Sequence, residues 1–313
     1  MADGELHVVT GAYGYSGQHI ARRLLEQGHA VKTLTGSVRR HNPFGESVPA
    51  EPLCFDDPPR LAASLSGATV LYNTYWVRYD MKGISQLQAV ENTLTLFRAA
   101  CEAGVARIVH ISMTNPSENS PFGYFRYKAI MERELKRMAS SWAIVRPALL
   151  FGGADILVNN IAWMLRHLPV FGVFGDGRYR LRPVHVDDLA RVAVDAGAGT
   201  DNVVVDAVGP ERFEFREFVR AIGDIIGRRR PIVRMPTRLA LAFTRALGWM
   251  VGDVILTGEE VRALMAGLLD VDGPATGKIR LTDWARSHAD ALGRRYASEL
   301  ARRRNRALAY HEL

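Results

Sequence analysis

Two clusters in the 313-residue chain have residue types and spacings suited to chemistry. In Tyr124-Phe125-Arg126-Tyr127-Lys128 a phenol and an amine stand at i and i+4 of a predicted helix, which puts both on one face. A phenol titrates near pH 10 (about 10 unperturbed), so it moves protons at neutral pH only where positive charge stabilises its anion. Lys128 offers that charge. Ser112 closes the apolar run Ile108-Val109-His110-Ile111, a predicted buried strand, at the sheet edge where open α/β folds bind ligands.

The second cluster is Gly11-Ala12-Tyr13-Gly14-Tyr15-Ser16-Gly17, between the predicted strand 6–10 and a helix carrying Ile20, Leu24 and Leu25. The first glycine suits a tight turn, the next lets backbone approach a pyrophosphate, and the third allows close helix packing. A diphosphate would rest on the unsatisfied amides of the helix N-terminus, where the dipole favours negative charge. Thr35-Gly36-Ser37-Val38-Arg39-Arg40, ending the second strand, offers two guanidiniums and a hydroxyl but no carboxylate. A carboxylate there would take the ribose 2′-hydroxyl of NAD, whereas arginine forks suit the 2′-phosphate of NADP. NADP is the expected cofactor, with NAD as the alternative if Arg39 and Arg40 only open a solvated loop.

The G-x-x-G-x-x-G spacing, with Ser112, Tyr124 and Lys128, resembles the extended and atypical-extended short-chain dehydrogenase/reductases. That group includes NAD(P)-dependent epimerases/dehydratases, NmrA-like proteins and the nicotinamide-binding accessory subunit of respiratory complex I. The resemblance covers residues 6–196. It implies that Tyr124 moves the proton of a hydroxyl or carbonyl, Ser112 polarises the same oxygen, and Lys128 supports the phenolate and donates to the ribose. It also implies that Asn92 supports Lys128 through water, that Pro147 and Asn73-Thr74 lie near the nicotinamide, and that Asp56 lies beside adenine. Asp56 has a second reading as N-cap of the helix near Leu61, which Asp57 serves equally well. The segment His110 to Asn115 departs from the double serine of extended epimerases, so Ser112 and Thr114 compete for the serine role. Tyr127 is a second phenol, pointing away from Lys128.

On the substrate side, Tyr75, Trp76 and Tyr79 with Arg78 suit a pocket wall with an anion donor, or equally a loop packed on the core. Two functions fit. One is an NADP-dependent oxidoreductase or epimerase-like enzyme acting on a small hydroxyl or carbonyl compound. The other is a non-catalytic NAD(P)-binding redox sensor or assembly subunit, which the unusual serine region and the apolar stretch around Leu247 would suit.

The elements that must position these residues alternate β-branched runs with helical patterns: 6–10, a helix to Gly28, 30–35, 68–73, a helix near 84–103, 107–112, a helix near 121–140, and 142–147. Such alternation predicts a Rossmann-type α/β fold, a doubly wound parallel sheet. After Pro147 the Gly-rich loops at 151–153 and 172–177 mark a smaller, mainly helical C-terminal substrate lobe. The expected division is 1–150 for the dinucleotide-binding domain, with returning segments near 183–208, and 151–313 for the substrate lobe. Asp187 or Asp188 is the expected cap of the returning helix. Thr257-Gly258-Glu259-Glu260 reads as a capping box, and Thr282 as the start of a long helix carrying Trp284, Leu292, Tyr296 and Leu300. The apolar stretch 239–251 reads as a core or lid helix, with a membrane or partner helix as the minor reading.

The composition, 48% hydrophobic and 23% charged, is that of a globular protein. Net charge is +7, but no nucleic-acid-binding motif accompanies it, and the runs Arg228 to Arg230 and Arg302 to Arg304 read as solvated helix ends. No histidine pair has ligand spacing, so no metal is expected. Cys54 and Cys101 read as buried, inert thiols of a reducing compartment, and with no signal-like start or span-length apolar run a cytoplasmic protein is expected. The outer faces of helices 84–103 and 121–140 are candidates for a homodimer contact.

Overall fold

The computed structural model describes residues 4–80 and 83–309. Strands β1 (Leu6–Thr10), β2 (Ala30–Thr35), β3 (Ala50–Pro52), β4 (Ala68–Asn73), β5 (Arg107–Ile111) and β6 (Trp142–Pro147) join the strand Val203–Ala207 in one sheet. Its order is Val203–Ala207, β6, β5, β4, β1, β2, β3, with every pair parallel. Parallel strands need crossover helices, and α1 (Tyr15–Glu26), α2 (Pro58–Ala63), α3 (Gln86–Glu102) and α4 (Gly123–Met138) supply them. The strands are apolar almost throughout because helices cover both faces; all of β5 is buried. The chain leaves β1 toward β2 on one side and returns through β4 on the other. The carboxyl ends of β1 and β4 therefore flank the reversal of strand order, the usual ligand crevice of such sheets.

The chain divides into two compact units, one of residues 1–147 and 189–207, the other of 148–188 and 208–313. In the first, Arg107 at the start of β5 is buried and ties down the returning segment. Its guanidinium donates to the Ala196 carbonyl at 2.8 Å, the Asp201 carbonyl at 2.6 Å and Ser141 Oγ at 2.7 Å. Asn202 Oδ1 accepts from Trp142 N at 2.7 Å, which fixes the register of the last strand on β6.

The second unit builds its own core from Phe151, Ile161, Leu165, Phe218, Ile222 and Leu281, with helices Leu157–His167 and Phe215–Ile225 as its main supports. Several local expectations change there. The helix expected from Thr282 is broken into Leu281–Ser287 and Glu299–Arg304. Gly293 sits at φ +71° with its α-carbon pressed on the Ala162 backbone, so the chain must turn there. The carboxylate of Asp253 accepts from Glu299 N at 2.8 Å and Leu300 N at 3.1 Å and organises the second piece. Thr282 is no cap; its hydroxyl donates to Glu211 at 2.7 Å. The carboxylate of Asp188, in the first turn of the helix Val186–Ala198, holds the backbone amides of Lys278 and Ile279, both at 2.8 Å. The capping box at Thr257 and Glu260 forms as expected. Arg302 is buried and is not a solvated helix end.

Neither cysteine is buried as expected. Cys54 is half-buried beyond the short edge strand β3, and Cys101 is exposed in the last turn of α3. The stretch expected as a core or lid helix forms the helix Thr237–Val251, yet only Ala240, Leu247 and Gly248 are buried along it. No helix among the described residues is long and apolar enough to cross a membrane.

Candidate functional site

The turn after β1 enters α1 in a conformation set by its glycines. Gly11 has φ +67°, a left-handed value that costs any other residue about 1–2 kcal/mol. Gly17, in the first turn of α1, packs on the Gly11 carbonyl; a Cβ there would lie 2.8 Å from Gly11 C and 3.1 Å from Ala12 Cα. Gly14 N donates to the Gly11 carbonyl at 2.7 Å, and Ala12 N donates to Thr33 Oγ1 at 2.9 Å, pinning the loop to β2. The N-cap position is Gly14, which brings no capping side chain, and the first turn holds no carboxylate. The positive end of the helix is left for an anion. Tyr15 and Ser16 are half-buried in this turn, whereas the Tyr13 ring is buried and its hydroxyl donates to the Val48 carbonyl at 2.5 Å. At the end of β2, Gly36, Val38 and Arg39 are exposed and Ser37 and Arg40 half-buried.

A polar network that sequence reasoning missed lies beneath the loop. Thr10 Oγ1 donates to Asn73 Oδ1 at 3.1 Å and accepts from Thr74 N at 2.8 Å and Tyr75 N at 3.1 Å. Asn73 Nδ2 in turn donates to His110 Nδ1 at 3.1 Å, so the other ring nitrogen of His110 carries its proton. Thr10, Asn73 and His110 are all fully buried. They lock the carboxyl ends of β1, β4 and β5 together. The sequence signal was a threonine, an asparagine and a histidine, each in an apolar strand, where an unpaired polar group is costly.

Ser112 follows β5; its backbone N–H donates to the Val145 carbonyl at 2.8 Å, and its Oγ is buried without a hydrogen-bond partner. Thr114 is buried and donates through its backbone to the Pro147 carbonyl at 3.1 Å. Lys128, on α4, is buried, donates to the Ile111 carbonyl at 2.9 Å and places its ammonium 4.7 Å from the centre of the Trp76 ring. Trp76 meets Tyr124 edge-on at 5.3 Å between ring centres. The structure therefore brings Ser112, Tyr124, Lys128 and Trp76 to one end of the sheet. Burial pushes the Lys128 amine down to about 7, with Glu132 opposing that shift. Both Glu132 oxygens are engaged by Arg146, at 2.9 and 2.5 Å. Burial, with the neighbouring Lys128 charge, also holds His110 well below the ordinary imidazole range.

Asn92 donates through its amide to the Tyr75 hydroxyl at 2.9 Å. That tyrosine is raised above the usual phenol range by burial, against the lowering effect of this bond. Arg78 lies over the Tyr79 ring at 5.6 Å, and its carbonyl accepts from Gln86 Nε2. Asp56 is exposed, and Asp57 is the cap of α2, accepting from Arg60 N at 3.1 Å. Tyr127 lies beside Arg126, whose guanidinium is 5.4 Å from its ring centre. Away from this edge Glu5, His7 and His29 come within 4.8 Å of one another at their ligand atoms. The two imidazole ring centres are 4.2 Å apart with their planes tilted by 39°.

A doubly wound parallel sheet with a glycine turn at its switch point defines a dinucleotide-binding α/β protein, and the turn suits an anion because the start of α1 has neither a capping side chain nor a carboxylate. Residues 7–205 match the model of the NAD dependent epimerase/dehydratase family, and the chain belongs to that family. Among curated proteins it is 25% identical over 229 residues to the NADH dehydrogenase [ubiquinone] 1 alpha subcomplex subunit 9, mitochondrial, of Dictyostelium discoideum. That match takes in 71% of this chain and 64% of the relative. Among solved structures the triphenylmethane reductase of Citrobacter sp. superposes with a TM-score of 0.77 at 16% identity, covering 91% of this chain and 99% of that one. MoeE5 in complex with UDP-glucose and NAD superposes with a TM-score of 0.62 at 20% identity, covering 74% and 85%.

Proposed function

We propose that the chain is an oxidoreductase of the extended short-chain type, epimerase-like, that transfers hydride between a nicotinamide dinucleotide and a small hydroxyl or carbonyl compound, with NADP preferred over NAD. The observation that carries the reading is the Ser112 hydroxyl, buried and unpartnered beside the glycine cradle's end of the sheet. Leaving such a group unsatisfied costs about 1–3 kcal/mol, which a substrate oxygen would offset. Bound, the dinucleotide supplies the hydride acceptor or donor. Ser112 donates to the substrate oxygen and orients it, with Thr114 as the competing hydroxyl. Tyr124 gives or takes the proton of that oxygen, and the Lys128 charge favours its phenolate.

Gly11, Gly14, Tyr15, Ser16 and Gly17 hold the pyrophosphate, with Tyr13 contributing backbone. Gly36, Ser37, Arg39 and Arg40 meet the 2′-phosphate, Asp56 the adenine, and Thr74, Lys128 and Pro147 the nicotinamide riboside, with Asn73 buried beneath them as a positioning residue. Asn92 acts through Tyr75 as a positioning residue. Tyr75 and Trp76 line the substrate side, with Arg78 for an acidic group. The setting proposed is the cytoplasm, with α3 and α4 as the homodimer contact. Oxidation or reduction of the nicotinamide over a panel of carbonyl and hydroxyl compounds tests the proposal. Tyr124→Phe should lose at least about a hundredfold in turnover, the low end for general acid–base catalysis; turnover unchanged by Tyr124→Phe would reject the mechanism.

A second reading, a dinucleotide-binding sensor or assembly subunit without turnover, is favoured by one observation: the Lys128 amine is spent on the Ile111 carbonyl and the Trp76 face. Dinucleotide binding without turnover of any compound, with one stoichiometric protein partner captured, would support it.

A further inference from the structure

We propose that the helix Thr237–Val251 is an in-plane membrane anchor that seats the protein on an anionic lipid surface. Its inner face, Ala240, Leu241 and the end of the preceding strand at Met235, packs on Phe174 and Val261. At about 100° per residue, Leu239, Ala242, Phe243, Ala246, Trp249 and Met250 fall together on the opposite face, and all six are exposed. Trp249 is 90% exposed, Met250 70% and Leu239 60%, values that a solvated helix face does not need. Large exposed apolar patches mark interaction sites.

Charge selects the occupant. Arg238 and Arg245 are exposed along one border of this face, and from residue 225 to 252 the chain holds Arg228, Arg229, Arg230, Arg234, Arg238 and Arg245 but no Asp or Glu. A second copy packed antiparallel on this face by a twofold axis would set the arginine border of one helix against that of the other, an unfavourable contact. A membrane of anionic phospholipid accepts the tryptophan and aliphatic side chains at its boundary and the guanidiniums at its headgroups. The helix is 15 residues long, short for a span but sufficient to lie in the interface.

The test is sedimentation of the full chain with vesicles of phosphatidylcholine alone or mixed with phosphatidylglycerol. Binding is expected to the mixed vesicles only, to weaken with salt, and to fall roughly fivefold for each of Arg238→Ala and Arg245→Ala. Trp249→Ser with Met250→Ser should lower it more than tenfold while dinucleotide binding and the melting temperature stay at wild type, both side chains being solvent-exposed. No sedimentation with mixed vesicles, or binding indifferent to the double variant, overturns the proposal. So does a concentration-dependent dimer in light scattering that the double variant abolishes, or a captured acidic protein partner that competes with no vesicle.

Discussion

Replacing Gly17 with alanine puts the reading of the cradle at risk in a single step. The added methyl would stand 2.8 Å from Gly11 C and 3.1 Å from Ala12 Cα, and closer still to the Gly11 oxygen. Carbon atoms in ordinary contact sit about 3.5–4.0 Å apart, so loop and helix must part by about 1 Å. Neither side yields cheaply, because every obstructing atom is main chain. The Gly11 carbonyl accepts from Gly14 N at 2.7 Å, and Gly11 N donates to the Leu34 carbonyl at 2.8 Å. Overpacking costs about 1–3 kcal/mol, and a backbone obstruction belongs at the top of that range. At a few degrees per kcal/mol for a chain of this size, the melting temperature should fall by roughly 5–10 °C. Displacing amides that face a phosphate should also weaken dinucleotide binding by at least about tenfold, the loss of one charge-assisted hydrogen bond. Gly11→Ala is the comparison: its Cβ would meet only Thr74 Oγ1 at 3.5 Å, leaving the left-handed φ as the sole penalty, about 1–2 kcal/mol and a smaller fall. Calorimetry with oxidised and reduced NAD and NADP, beside thermal melts of the three proteins, makes the measurement. A Gly17→Ala protein that melts within a degree or so of wild type and binds either coenzyme as tightly would refute the packing argument, and absence of binding by wild type would remove the cradle itself.

Ser112→Ala should move stability and activity in opposite directions: deleting an unpartnered buried hydroxyl leaves the ligand-free protein as stable or about 1 kcal/mol more so, while turnover falls, and a destabilised variant would contradict the orphaned hydroxyl. Lys128 titrates near 7 when folded and near 10.5 when unfolded. The unfolded chain therefore binds the extra proton between those values, and stability rises with pH across that window while the Lys128 contribution is flat below it. Chemical denaturation of wild type and Lys128→Met from pH 6 to about 10 should show the gap closing in the variant's disfavour as pH rises, and a constant gap would deny the depressed amine. Arg39→Ala with Arg40→Ala should lower NADP affinity by at least about tenfold and leave NAD unchanged, since an arginine fork on phosphate is a charge-assisted contact; equal losses for both coenzymes would remove the 2′-phosphate assignment.

What could be read along the chain was whatever depends on near neighbours. The glycine spacing between β1 and α1, the i, i+4 relation of Tyr124 and Lys128, the alternation of buried strands and helices, and the capping box at Thr257 are set by backbone dihedrals and periods of a few residues. The broken helix after Thr282 escaped that reading because the contacts that hold the chain beyond Ser287, Gly293 beside Ala162 and Asp253 on Glu299 and Leu300, join positions far apart. Cys101 escaped it because an apolar neighbourhood in sequence does not say which side of α3 faces solvent.

By itself the sequence determined that this protein is a doubly wound α/β chain with a glycine turn between β1 and α1, since turn chemistry and hydrophobic period are local. Only the tertiary structure decided that Thr10, Asn73 and His110 form one buried network, that Asn92 holds Tyr75, that Lys128 reaches the Ile111 carbonyl, and that the apolar helix near Leu247 shows its tryptophan to solvent. Each of those depends on which distant segments pack together, and burial, with the proton affinities it shifts, exists only once they have.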